Sequence, residues 1–432
     1  MHEFLMRTFS VRRNEVGAML AAFLFVFCVW TSFSILRPVR ETMGITSGVA
    51  NLPMLFWGTL IAMLALQPIY GLVASRYRRT TFLPWVYGFF VLNIAGFYVW
   101  FHVQDDHTWI ARAFFVWLSV FNLFVLSVFW SFCVDIFTRD QARRMFGFIA
   151  AGISAGGIVG PLLAKVLAVP IGRINLLLVA GAFLATSLLF VRYLTRWQSR
   201  VNTAVEGAPA DGDRPVGGNP FSGIYQVFGS RYLMSIALFV FLLTWVSTFL
   251  YLEQANLVSK AIPDPDRQTE LFSTIDLWVQ AITLLIQLLA LGHLVSRFGL
   301  VVMMVTVPLG MVFGFTWLAL QPVLGVLIAV MMIRRVGEYA VMRPCREMLF
   351  STVPRETKYK AKNFIDTVIY RAGDALSGSA HALLVWLGLA TAGIAWAGAV
   401  IAALWGFAAY SAARKQESDS DMVLAREGAA PR

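Results

Sequence analysis

The run VGAMLAAFLFVFCVWTSFSIL, residues 16–36, carries no charged side chain, and RPVRE, residues 37–41, follows it directly. About 20 apolar residues in a helix reach across the hydrocarbon core of a bilayer. An arginine inside such a segment costs about 2.5–3.5 kcal/mol even on insertion scales. Arg37 and Arg40 are therefore expected to face protein or a watery cavity, not lipid. The string returns as MRPCRE, residues 342–347, near the end of another apolar run, so both copies read Arg-Pro-x-Arg-Glu. Guanidinium forks grip carboxylates and phosphates through paired hydrogen bonds.

Working outward, the same apolar pattern fills the chain. Its 432 residues are 58% hydrophobic and 14% charged, whereas soluble domains run at about 45–50% apolar and about 25% charged. Apolar runs fall near 15–41, 52–74, 82–102, 110–137, 145–169, 174–195, 230–255, 270–296, 300–320, 323–350, 363–388 and 390–412. The fold class that follows is an all-α polytopic membrane protein with about 12 transmembrane helices. Residues 196–229 interrupt the pattern with a stretch rich in Gly, Pro, Ala and Asp. The expected organisation is an N-terminal six-helix bundle over 1–195, a flexible cytoplasmic linker over 196–229, a C-terminal six-helix bundle over 230–412 and a disordered cytoplasmic tail over 413–432. FSGIYQVFGSRYL, after the linker, reads as a short interfacial helix.

The net charge of +11 would suit a nucleic-acid partner, but its placement is topological. Lys and Arg gather at the termini and in the even-numbered connections, as in Arg7, Arg12 and Arg13, Arg76, Arg78 and Arg79, and Lys358, Lys360 and Lys362. The odd-numbered connections hold Arg112, Lys165, Arg173, Lys260 and Arg267. This bias predicts a multi-pass inner-membrane protein with both termini cytoplasmic and no nucleic-acid partner. No A-x-A-like site follows the first apolar run, and the run is too long for a signal peptide, so an uncleaved first helix is expected. Cys28, Cys133 and Cys345 lie in apolar segments and read as packing residues. HExxH and CxxC are absent, and no catalytic residue, cofactor or metal is assigned. A monomer in the lipid bilayer is expected.

The halves echo one another. GLVASRY (71–77) and GHLVSRF (292–298) each follow an apolar run, as do Thr138-Arg139-Asp140 and Pro354-Arg355-Glu356. Duplication of a six-helix unit in parallel halves is the major facilitator arrangement. GLVASRYRR also resembles that superfamily's loop motif, with Ser75 in place of the usual Asp. The arrangement implies that the first, fourth, seventh and tenth helices line a central cavity.

Several constellations then qualify as functional. Arg37 and Arg40 share one face of the first helix, and Arg343 and Arg346 one face of the tenth. They read as two solute-gripping pairs, or else pair locally with Glu41 and Glu347 or snorkel to the interface. Glu338 reaches Arg334 or Arg335, as a salt bridge or part of a ligand site. Asn122 reads as a solute contact or an interhelical hydrogen bond. Asp135, near the end of the fourth helix, is a gate or proton-acceptor candidate. Asp276, Gln280 and Gln287 lie on one face of the eighth. Arg371 and Asp374 are spaced to pair, and Asp374 with His381 would suit a proton relay or a structural network. Gly152, Gly156 and Gly160 place small residues at a spacing that permits close helix packing.

Three stretches resemble the ATP/ADP translocase family. LRPVRETMG (36–44) is similar to its Leu-Arg-x-x-Lys-Asp string, with Arg40 and Glu41 in place of Lys and Asp. FWSF (129–132) and QARRMFG (141–147) are similar to F-W-G-F and E-A-K-R-F-x-x-F-G. PCREM (344–348), followed by KYKAKNFID (358–366), is similar to P-T-K-E-M and K-x-K-G-K-A-x-I-D. The resemblance implies a twelve-helix nucleotide exchanger in which Arg40 and Arg346 contact phosphates.

The leading expectation is thus a secondary transporter of a small anionic solute, a nucleotide or related phosphorylated metabolite, working by alternating access. Its alternative is a proton-coupled major facilitator exporter of another small molecule, with protons as coupling ion. A polytopic membrane enzyme or lipid translocase ranks below both.

Overall fold

The computed structural model describes residues 12, 15–76, 79–203, 222–351 and 353–428. Most of the expected linker, residues 204–221, lies outside the described residues, as do Arg7 and Arg13 of the N-terminal basic set and Tyr77 and Arg78 of the GLVASRYRR loop. Among the described residues the secondary structure is helical throughout, with no strand.

Twelve spans follow in order. The first six are Val16–Thr46, Leu52–Arg76, Arg79–Val103, Thr108–Ile136, Arg139–Ile171 and Leu176–Thr203. After a short helix, Ser222–Gly229, come Arg231–Ala261, Pro265–Leu289 and Leu291–Leu320 as spans seven to nine. Span ten comprises Leu324–Gly337, a π-helical turn Glu338–Met342 and Arg343–Leu349. Span eleven is built alike, from Arg355–Phe364, the π turn Ile365–Ile369 and Tyr370–Trp386. Span twelve is Thr391–Gly428, so helix continues through most of the polar segment that follows residue 412. Among the described residues, ten helices are long and apolar enough to cross a membrane. Spans ten and eleven fall outside that group because a π turn divides each into shorter pieces.

The chain forms two compact units. The first gathers Met1–Gly48, Ile61–Arg214 and Ile262–Gln280, and the second gathers Val49–Leu60, Pro215–Ala261 and Ala281–Arg432. Each unit takes in a piece of a span whose remainder belongs to the other.

Within unit one, span one packs on spans four, five and six. The glycines of span five explain how close it comes. A Cβ at Gly152 would stand 2.7 Å from the Phe23 carbonyl oxygen, and one at Gly160 would stand 2.5 Å from Ser34 Cβ. Only a bare Cα fits at that separation. Span one stays helical through Pro38. Pro38 forfeits one backbone hydrogen bond, a loss that membrane helices tolerate when neighbours surround them. Span five begins on a capping box, in which Thr138 and Gln141 satisfy one another's backbone N–H. Gln141 Nε2 also donates to Glu15 Oε1 at 2.9 Å, and Arg144 Nη1 lies 3.4 Å from Glu15 Oε2. This fixes the start of span one against the start of span five.

Within unit two, span nine packs on spans ten and twelve, and span seven on spans ten, eleven and twelve. Cys28, Cys133 and Cys345 are buried and unbridged, in keeping with packing roles.

Candidate functional site

In unit one the Arg-Pro string stands in the second half of span one, where Arg37 and Arg40 take different partners. Arg37 Nε lies 3.7 Å from Asp276 Oδ2 of span eight. Arg40 Nη2 donates to Glu41 Oε1 at 2.7 Å, and Nη1 donates to Ser119 Oγ of span four at 3.4 Å. The Arg40 guanidinium also lies 5.0 Å from the centre of the Phe115 ring, in cation–π geometry. Thr42 and Thr269 share a hydrogen bond at 2.8 Å, a second tie between spans one and eight. Arg40 is thus held by a carboxylate, a hydroxyl and an aromatic face while its side chain keeps 21% exposure, so an incoming anion can reach it.

Unit two joins its charges around the two π turns. Arg334 Nη1 donates to Glu338 Oε2 at 2.7 Å, and both side chains are 6% exposed. Glu338 Oε1 accepts from Arg343 Nη2 at 3.5 Å. Arg343 stacks on Tyr339 at 4.4 Å and is 58% exposed, so this guanidinium reaches outward from a buried carboxylate. Arg346 Nη1 lies 3.2 Å from Asp366 Oδ1 of span eleven. Lys362 Nζ donates to both carboxylate oxygens of Glu347, at 2.7 and 2.6 Å. The PCREM and KYKAKNFID strings, read separately in the sequence, therefore meet through two ion pairs. A π turn widens the helix by one residue and recurs at functional sites. Here each π turn carries one of the carboxylates, Glu338 or Asp366.

The remaining sequence candidates are scattered. Asn122 is half-buried on span four, with no hydrogen-bond partner among the described residues. Asp135 is half-buried near the end of that span, where its backbone carbonyl accepts from Gln198. Gln287 donates to the Tyr339 carbonyl at 3.1 Å. Arg371 and Asp374 pair at 3.3 Å, and Thr248 of span seven donates to Asp374 at 3.3 Å. His381 turns to Glu253 of span seven, 2.9 Å away. The sequence reading passed over Glu253, although a carboxylate inside an apolar span was signal enough. It also missed Ser119 and Phe115, which look like ordinary span residues until Arg40 lies on them.

Residues 18–263, more than half of the chain, match the profile described as Major Facilitator Superfamily. The chain belongs to that superfamily. ADP,ATP carrier protein 1 of Chlamydia muridarum (strain MoPn / Nigg) is 21% identical to it, over 98% of this chain and 94% of that protein. The crystal structure of the nucleoside transporter NupG matches with a TM-score of 0.63 and 16% identity, covering 93% of this chain and 99% of that one. An auto-inhibited POT family peptide transporter matches with a TM-score of 0.64 and 15% identity, covering 92% and 97%. At these identities the structural likeness speaks for the fold. As a major facilitator, this chain is a multi-pass membrane protein and a secondary transporter of a small solute, not an enzyme.

Proposed function

We propose that this major facilitator moves an anionic organic solute, a nucleotide or a related phosphorylated metabolite, across the inner membrane. Transport proceeds by alternating access, with both termini cytoplasmic and the monomer as the working unit. The observation that carries this reading is the state of the arginines. Arg346 is paired with Asp366 and Arg40 with Glu41, and each arginine keeps some exposure. A phosphate or carboxylate that displaces such a side-chain carboxylate finds a guanidinium already oriented, with its desolvation partly met. The nucleotide assignment draws further support from the resemblance to ADP,ATP carrier proteins along nearly the whole chain.

In this reading Arg37, Arg40 and Asn122 in unit one, and Arg343 and Arg346 in unit two, are solute contacts. Glu41, Asp276, Glu338 and Asp366 hold those arginines when no solute is present, while Glu347 holds Lys362. Asp135, Arg371, Asp374 and His381 serve gating or proton coupling.

The test is uptake of labelled ATP and ADP into proteoliposomes, with and without internal nucleotide and with and without a proton gradient. Saturable uptake that requires internal nucleotide is expected. No uptake in any arm, from protein that elutes as a folded species, rejects the nucleotide.

A further inference from the structure

One buried pair in unit two stands apart from the arginine cluster. His381 Nε2 of span eleven lies 2.9 Å from Glu253 Oε1 of span seven. The residues are 7% and 1% exposed. Glu253 Oε2 is buried and makes no hydrogen bond among the described residues. Phe249 presents its ring edge-on to the imidazole at 5.5 Å, closing one side with an apolar surface.

The charges on the surrounding elements are committed elsewhere or distant in sequence. On span eleven itself, Arg371 and Asp374 pair with one another. Span seven adds Lys260 near its end. Span ten, which packs on span seven, contributes Arg334, Arg335 and Glu338, with Arg334 bound to Glu338. Residues 49–60, which meet span eleven at Gly378 and Ser379, hold no ionisable group. Span twelve has no charged residue before Arg414.

An ionised Glu253 beside a neutral imidazole would bury an uncompensated negative charge, which is strongly unfavourable. Its second oxygen would also go without a donor. A single proton resolves both. Carried on Oε1 and donated to Nε2, it makes the pair neutral and leaves Oε2 as a carbonyl oxygen. An unmet bond on a neutral carbonyl oxygen costs less than one on a buried carboxylate.

We propose that Glu253 and His381 form a proton-binding site of this carrier. The buried pair holds one shared proton. Release turns the neutral acid and imidazole into a carboxylate, a neutral imidazole and a free proton, so the site passes from neutral to one negative charge. That step requires water at Glu253, and therefore an opening between spans seven and eleven. Occupancy by a proton and the tie between these two helices are thus linked, which makes the proton a second ligand. The inference rests on the carrier fold and not on the nucleotide assignment.

Infrared spectroscopy of the full-length protein in lipid nanodiscs tests it. The wild type is expected to show a protonated-carboxyl stretching band that disappears in Glu253→Gln. That variant copies the protonated acid in size and charge and is expected to fold. The same band should persist in Asp374→Asn and move in frequency in His381→Leu, where the acceptor is gone. Should His381→Leu fail to fold, Glu253→Gln decides alone. Absence of the band from wild type, or its persistence in Glu253→Gln, overturns the site. ATP uptake run in parallel keeps the two readings separate, because failed uptake with the band intact rejects the nucleotide and leaves the proton site standing.

Discussion

Arg346 extends from span ten to Asp366 on the π turn of span eleven, with Nη1 3.2 Å from Oδ1. Two residues, distant in sequence and each beside a π turn, thereby join the two interrupted helices of unit two. The pair is only partly withdrawn from solvent, since Asp366 keeps 32% exposure. In the function proposed above, this is the interaction that an anionic solute replaces.

Arg346→Ala and Arg40→Ala are each expected to lower solute uptake by at least about tenfold, equivalent to about 1.4 kcal/mol of lost interaction. Both proteins should still insert and elute as folded species. Arg→Lys at either position keeps the charge and loses the fork, so partial uptake is expected. Near-normal uptake by both alanine variants would remove these residues from the solute path.

Arg334→Ala should destabilise the protein strongly. It strips Glu338, which is 6% exposed, of its 2.7 Å partner and leaves Arg343 at 3.5 Å. Breaking one member out of a buried ion pair costs about 3–5 kcal/mol. A melting temperature in detergent that matches wild type would show that Arg343 alone compensates Glu338.

The contact between spans one and five predicts a contrast between glycines. Gly160→Ala places a Cβ 2.5 Å from Ser34 Cβ and 2.9 Å from the Thr31 carbonyl oxygen. Overpacking of this kind costs about 1–3 kcal/mol. Gly147→Ala, on the same helix with nothing within 4 Å, should be neutral or slightly stabilising. Equal melting temperatures for the two variants would contradict the packing described.

Glu15 predicts a pH dependence. Burial pushes its carboxyl upward, but hydrogen bonds from Gln141 and the Arg12 N–H, with the Arg144 charge, outweigh that and hold it below the usual carboxylate range. A depressed folded value means that the stabilisation is present above the unfolded value of about 4.3 and is lost as pH falls through the folded value. Wild type should therefore exceed Glu15→Gln in stability at neutral pH, and the gap should close on acidification. A gap that stays constant with pH would assign Glu15 a role independent of its charge.

The sequence by itself determined the number and order of the spans, because a bilayer demands apolar runs of fixed length and the chain supplies them. It also led to the expectation that Arg37, Arg40, Arg343 and Arg346 face protein or water rather than lipid. The small-residue face of span five was legible for a similar reason, because glycines at that spacing have few uses besides close packing. What the tertiary structure decided was partnership. Arg37 takes Asp276, Arg346 takes Asp366 in place of its neighbour Glu347, and His381 takes Glu253 instead of Asp374 on its own helix. Helical periodicity places a side chain on a face, but the identity of what meets that face depends on which helix packs there and at what height. The π turns were hidden for the same reason: an extra residue in a turn is held by the neighbours that fill around it, and those neighbours are distant in the sequence.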